Sequence, residues 1–414
     1  MFEIIFQFIT LIIFVGFVLS IISTIYYFAL TIAGGFKKKP EDPRNFPATN
    51  RFAVVIAAHN EDMVIESTIE SLINIDYPKE LIDIYLIADN CTDKTAEIAR
   101  KMLCNVLERN NLEKKGKGHA LTWGFEKIWA TNIKYDAVCL FDADNLVDKS
   151  YFLEMNKSLH QGHNVIQGYI GCKNPEDSWV SACYSINFWL ANRFFQLSRF
   201  QLGLSCGIGG TGFVVRTELL KEIGWDSYCL TEDLEFQLKL VERNMKVAWN
   251  HDAIFYDEKP ITLKQSIKQR TRWVQGYTDC ITRFFGIFMR KTIKEKSIIA
   301  LDTAFFMIQS YWMGAIWVSA ILSALLSIIM GFYFPLYWTG LGISIGVLES
   351  TMLLLGLFLL YEKKLTPKIF LYLLTFPYFS YTWLIPIVLG WKRRKDNAWV
   401  HTEHTRSIDI KDML

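Results

Sequence analysis

Val138-Cys139-Leu140-Phe141-Asp142-Ala143-Asp144 is the stretch whose reading decides the fold. A short apolar run is a candidate buried strand, and here two carboxylates stand two residues apart at its exit. Carboxylates so placed are costly unless a cation lies between them. They offer the hard oxygens that Mg²⁺ or Mn²⁺ takes when it holds a diphosphate. Two further expected strands end in the same way. Ala53–Ala57 runs through Ala58 into His59-Asn60-Glu61, and Ile82–Ala88 runs into Asp89-Asn90. A fourth strand is expected at Asn164–Tyr169, with helices at Asp62–Ile73 and Thr92–Leu103. The alternation predicts an α/β fold with a mostly parallel sheet and a pocket at the carboxyl ends of its strands. Helix capping explains any one of these polar clusters. Three at one edge point to a pocket.

Further along, Lys114-Lys115-Gly116-Lys117-Gly118-His119 brackets a lysine with glycines, which permits close backbone approach to an anion. A solvated charge run reads the same way. Four glycines (207, 209, 210 and 212) surround Ile208 and Thr211, as in backbone lying flush against a flat ligand or in a strained hairpin. Thr231-Glu232-Asp233 opens an expected helix over Leu234–Arg243. Its acids suit a positive helix end or a general base. Gln269-Arg270-Thr271-Arg272-Trp273 lies on a basic amphipathic stretch that, by itself, reads as a membrane-surface helix.

Composition sets the outer limits. Of 414 residues, 51% are hydrophobic and 15% aromatic, and the net charge is +2. That excludes a disordered chain and a nucleic-acid reader dependent on basic excess, so no nucleic-acid partner is expected. Eight cysteines without a CxxC pair predict free thiols in a reducing compartment. Ile4–Gly35 carries no charge and stops at Lys37-Lys38-Lys39, the pattern of a membrane anchor with a cytoplasmic flank. Ser297–Met330, Leu336–Leu360 and Ile369–Trp391 are each long enough for a hydrocarbon layer of ~30 Å. Cations at 392–395 also favour the cytoplasm, so three single crossings after the soluble region would put the C-terminus on the wrong side. Pro377 and Pro386 predict that Ile369–Trp391 does not cross fully.

The succession HNE, DN, GKGH, DAD, GGTG, TED and QRTRW, set between an N-terminal anchor and C-terminal apolar segments, resembles the processive family 2 membrane glycosyltransferases, the group of cellulose, hyaluronan, chitin and poly-N-acetylglucosamine synthases. The resemblance implies a GT-A (Rossmann-like) cytoplasmic domain embedded between transmembrane helices. It divides the chain into a helix at 1–36, the transferase domain at 49–258, amphipathic interface helices at 259–296, a channel region at 297–391 and a cytoplasmic tail at 392–414. His59, Asn60, Glu61, Asp89, Lys117, Asp142, Gln269 and Arg272 would then bind the UDP-sugar donor, and Asp142 with Asp144 would hold Mg²⁺ or Mn²⁺. Asp233 would be the base, flanked by Glu232 and Thr231, while Trp273, Gly209, Gly210 and Thr211 would bind the acceptor. The implied activity is inverting polymerisation, with UDP-glucose and a β-glucan as the leading expectation and UDP-N-acetylglucosamine, or single addition to a lipid phosphate, as the alternatives. The implied partners are the growing polysaccharide and the lipid bilayer of the cell membrane.

Overall fold

The computed structural model describes residues 2–36, 40–226, 229–330, 352–394 and 408. Lys37–Lys39, Lys395, most of Leu336–Leu360 and the tail but for residue 408 beyond Arg394 therefore lie outside the described residues. Helix α1 (Phe2–Gly35) is followed by β1 (Phe52–Ala58), α2 (Ile65–Ile73), β2 (Ile82–Asp89), α3 (Thr95–Lys101), β3 (Asn105–Arg109), α4 (Lys117–Trp129) and β4 (Ala137–Asp142). Strand β1 is apolar throughout and almost wholly buried, as a strand covered on both faces must be. It pairs in parallel with β2 and β4, and β2 pairs in parallel with β3. Helices α2 and α3 begin three residues later than expected. Asn60 Oδ1 accepts from Thr92 N (2.8 Å), and Glu61 N donates to Thr95 Oγ1 (2.8 Å). The two loops thus satisfy each other instead of starting helices.

The second half comprises β5 (Leu146–Val147), α5 (Tyr151–His160), β6 (Val165–Cys172), α6 (Trp179–Ala191), a π-helical turn at Asn192–Leu197, α7 (Ser198–Gln201), β7 (Phe213–Arg216), α8 (Thr217–Ile223), α9 (Glu232–Glu242) and β8 (Ala248–Asp257). The sheet order is β3-β2-β1-β4-β7-β6-β8-β5. Strand β7 is antiparallel to β4 and β6, and β5 to β8. With β6 parallel to β8, most of the pairing is parallel, as expected, and the sheet becomes mixed at β7 and β5. At β7 the cause is the glycine loop. Gly212 N donates to Leu140 O at 2.7 Å, so β7 starts at the carboxyl end of β4 and runs backward. This reversal brings residues 207–212 to the same edge as Asp142.

Leu263–Glu295 forms one 33-residue helix, α10, where the sequence suggested several. Then come α11 (Ile298–Met330), α12 (Met352–Tyr361), α13 (Pro367–Leu373), α14 (Phe376–Tyr381) and α15 (Leu384–Lys392). By length and composition Glu3–Gly35 and Ile298–Leu326 can cross a membrane, and Pro367–Leu373 with Phe376–Lys392 makes a third candidate, bent by 53°. The break falls beside Pro377, one of the two prolines expected to interrupt this run, whereas Pro386 lies within α15. Helix α1 packs along α11: a Cβ on Gly16 would lie 2.1 Å from Ser319 Cβ, and Ser319 Oγ donates to Ile13 O at 3.1 Å. Within the aromatic segment Trp179–Phe200, Tyr184 and Trp189 are buried. Trp189 packs with Leu355, Leu359 and Ile369, and Tyr184 packs with Phe379.

Candidate active site

Every strand exit at the carboxyl edge carries a polar group, and the reversed β7 adds backbone to it. Lys117 opens α4 behind Gly116, whose φ of +110° lets the chain turn into the helix. Its Nζ donates to Asp142 Oδ1 (2.5 Å) and to Gly210 O (2.7 Å), and lies 4.0 Å from Glu232 Oε1. One cation thereby joins the DAD turn, the glycine loop and the TED helix.

Three glutamines hold the glycine loop. Gly207 N donates to Gln196 Oε1 (2.8 Å), Ile208 N to Gln237 Oε1 (3.0 Å) and Gly209 N to Gln167 Oε1 (2.9 Å). Gly210 has a φ of +79°, and a Cβ there would stand 3.2 Å from Asp233 Oδ2. Backbone here lies against the acid because no side chain intervenes. Thr211 is buried instead of facing the pocket. Its Oγ1 accepts from Asp142 N (2.9 Å) and donates to Asn145 Oδ1.

Burial pushes the Glu232 carboxyl up to about 7, with Asp233 adding repulsion, while Lys117 and Arg272 act against the rise. Burial raises Asp233 as well, opposed by the Leu234 backbone amide, Lys117 and Arg272. Arg272 therefore faces the TED acids from α10. That helix comes close because residue 276 is glycine: a Cβ on Gly276 would lie 2.3 Å from Thr231 Oγ1. Trp273, next to Arg272, turns toward the C-terminal helices, stacked on Trp383 with centroids 6.5 Å apart. Gln269 Oε1 is buried without a partner.

At the other end of the edge, Asp89 is buried and accepts from Arg109 Nη1 at 2.5 Å. His59 Nδ1 donates to Asp89 O at 2.6 Å. Asn60 and Asn90 adopt positive φ and hold loops: Asn90 Oδ1 accepts from Asn111 N at 2.8 Å. Glu61 contributes its backbone amide to Thr95. These residues shape one wall by tying together the loops that follow β1, β2 and β3.

Two functional candidates escaped the sequence reading. Arg109 ends β3, a strand that was not expected. Asp257 ends β8, also not expected, and is pushed up to about 6 by burial, with Asp144 and Asp142 adding repulsion and Lys259 opposing it. Lys259 Nζ lies 2.6 Å from Asp257 Oδ1. Acids at strand exits were the signal already used for Asp89 and Asp142, so recognising β8 would have found Asp257. Asp142, Asp144 and Asp257 act on one another electrostatically and offer oxygens only, a donor chemistry that suits Mg²⁺ or Mn²⁺ and suits a soft metal poorly. The described cysteines are all free, as expected; Cys229 and Cys280 approach to 3.9 Å between sulfurs.

Residues 47–276, more than half of the chain, match the family described as "Glycosyltransferase like family 2". The "Probable glycosyltransferase YdaM" of Bacillus subtilis is 25% identical over 390 residues, 87% of this chain and 89% of the relative. The poly-beta-1,6-N-acetyl-D-glucosamine synthase of Staphylococcus aureus is 27% identical over 280 residues, and the match spans 65% of each protein. Among solved structures, the mannosyltransferase PcManGT of Pyrobaculum calidifontis, in complex with GDP-Man and Mn²⁺, aligns over 93% of this chain and 99% of its own, with a TM-score of 0.62 at 15% identity. The likeness to PcManGT is one of fold, the GT-A arrangement of a mixed sheet.

Proposed function

The chain belongs to glycosyltransferase-like family 2, and from that premise we propose that it polymerises a UDP-sugar by inverting transfer at the cytoplasmic face of a membrane. In this reading 49–258 is the catalytic domain and the C-terminal helices carry the product across. The observation that carries the proposal is the docking of α10 on the TED helix: Gly276 meets Thr231, Arg272 faces Glu232 and Asp233, and Trp273 stands beside them against the membrane helices. Donor chemistry and a product-side aromatic are thus neighbours on one helix.

The roles follow from charge. Asp89, oriented by Arg109, meets the uridine, with His59, Asn60 and Glu61 shaping that wall. Asp142, Asp144 and Asp257 would hold Mg²⁺ or Mn²⁺, which when bound neutralises the diphosphate. Lys117, Gln269 and Arg272 complete the anion's surroundings and favour its departure. Asp233 takes the proton of the acceptor hydroxyl as that oxygen attacks the anomeric carbon from the opposite face. Glu232 beside it, with its raised pKa, resists a second negative charge. Trp273 offers a flat face to the terminal sugar, with the backbone of Gly209 and Gly210 opposite and Thr211 holding that loop from behind.

The product named for the staphylococcal relative weighs toward N-acetylglucosamine as the sugar, against the glucose expected from the sequence. A second reading, transfer of one sugar to a lipid phosphate, draws on an apolar cavity of about 430 Å³ between α1, α11 and α15, lined by residues such as Leu11, Val15, Gly314 and Ile387. Membranes containing the protein should be incubated with radiolabelled UDP-glucose or UDP-N-acetylglucosamine, and the product sized and digested with linkage-specific glycosidases. A polymer from either donor, lost in excess EDTA, is the expected result. Label confined to a solvent-extractable lipid would select the second reading.

A further inference from the structure

Arg270 lies in the middle of the QRTRW segment and has no part in the chemistry above. It is wholly buried, at 0% exposure. No carboxylate pairs with it among the described residues; the Tyr184 hydroxyl and the Cys183 thiol are among the polar groups that face it. Its surroundings are otherwise rings, with the guanidinium carbon 4.6 Å from the Phe379 centroid, 5.0 Å from Trp383 and 6.0 Å from Tyr184. Nη2 donates to Thr382 Oγ1 at 3.0 Å, Nε donates to Ser266 O at 3.3 Å, and Nη1 is buried without a hydrogen-bond partner. A cation held this way is poor glue, because desolvation outweighs what aromatic faces return. An interfacial cation would instead reach for water.

What the guanidinium does accomplish is geometric. Its plane reaches, at once, a hydroxyl and a ring on the α14–α15 junction, Thr382 and Trp383, and the Phe379 ring of α14, which a lysine could not match. Trp383, one of those rings, stacks on Trp273, and Trp273 lies three residues after Arg270, on the same side of α10. Helices α14 and α15 follow the 53° break after α13, so their placement depends on what grips them from α10.

We infer that Arg270 is a positioning residue for sugar transfer: it pins the Phe379–Trp383 segment to α10 and so fixes the Trp273 ring that meets the acceptor. The inference rests on the transferase reading, in which Trp273 serves the acceptor while Lys117, Asp142 and Arg272 serve the donor.

Two activities of the full-length protein in vesicles separate these sides: transfer to acceptor, and hydrolysis of UDP-sugar by water, which needs the donor site alone. Thr382→Val removes the hydroxyl and keeps the shape. It should raise the acceptor KM about tenfold, the factor carried by one hydrogen bond to a charged group, and leave hydrolysis unchanged. Arg270→Met should lose more transfer, and Arg270→Lys should recover part of it by restoring a cation among the rings. The acceptor is whichever one the wild type uses, an oligosaccharide primer or a polyprenyl phosphate, so failure of the polymer reading changes the acceptor and leaves this test standing. Equal loss of hydrolysis and transfer in both Thr382→Val and Arg270→Lys would reduce Arg270 to a fold residue. Unchanged acceptor KM in Thr382→Val and Arg270→Met would make it a spectator. Either result overturns the inference.

Discussion

Glu232 and Asp233 stand side by side with too little solvent to carry two charges freely, and Lys117 and Arg272 supply the compensation. Lys117 opposes the rise of both acids, so Lys117→Met should raise both carboxyl pKa values further. A base is competent only when deprotonated, so the acid limb of the rate profile should move to higher pH. UDP release measured against pH, each protein scaled to its own maximum, checks this. A limb displaced to lower pH would show that Lys117 does not act on these acids. Asp257 provides a second test at this scale. If it faces the ion beside Asp142 and Asp144, Asp257→Asn should raise the Mn²⁺ concentration for half-maximal activity by about tenfold or more. Its unfolding temperature should fall, because the change leaves the buried Lys259 ammonium, 2.6 Å away, without its carboxylate partner. An unchanged metal requirement would remove Asp257 from the donor set. The residues at these positions were legible wherever a strand could be recognised before them. Asp142 follows an apolar run that is plain to read, whereas Asp257 ends a strand interrupted by Asn250, His251 and Asp252, where the β6–β8 register shifts.

Helix α10 shows what one element does for the site. It must come close enough to the TED helix for Arg272 to act, and Gly276 is the point of approach, since Thr231 Oγ1, Cγ2 and Cβ would all lie within 2.8 Å of a Cβ there. Thr231 is itself buried, so it has little room to yield. Gly276→Ala should therefore push α10 outward and lower kcat for transfer by well over tenfold. In a helix interior alanine is favoured by roughly 0.5–1 kcal/mol over glycine, so thermal stability should change little. Wild-type activity in Gly276→Ala would mean that α10 has a looser hold on the acids than its contacts indicate. The existence of α10 was legible from amphipathic spacing, and α1 from its uncharged run. The glycine loop was legible as a feature but not as a device. Its order comes from Gln167, Gln196 and Gln237 on three separate elements, and long-range side-chain bonds of that kind leave no local pattern. The antiparallel return of β7 was hidden for the same reason: a four-residue apolar strand does not declare its direction.

At the scale of the whole molecule, the α/β domain is joined to the long apolar helices α1 and α11 through charge buried at their meeting point. Arg199 on α7, 1% exposed, donates to Asp302 Oδ1 on α11 (3.0 Å) and to the Tyr26 hydroxyl on α1 (2.7 Å), and Tyr26 donates to Asp302 Oδ1 (2.8 Å). The guanidinium also lies 3.8 Å from the Phe195 ring centroid. Three elements distant in sequence converge on one cation, and Gln196, one of the glutamines that hold the glycine loop, sits three residues before it. Asp302 is the single charge in the apolar run Ser297–Met330, but nothing local in the sequence names its partner. Removing one member of a buried pair strands the other and typically costs about 3–5 kcal/mol, whereas replacing the whole pair with apolar side chains is often neutral. Asp302→Asn should therefore destabilise the purified protein more than the double variant Arg199→Met/Asp302→Leu, as read by thermal unfolding in detergent. If the cluster also transmits position to the active site, both variants should lose transfer, the double one while still well folded. An ordinary surface pair predicts the reverse order of stability, with the single change nearly silent and the double change the worse of the two; that order would place Arg199 and Asp302 outside the joint between the α/β domain and the apolar helices.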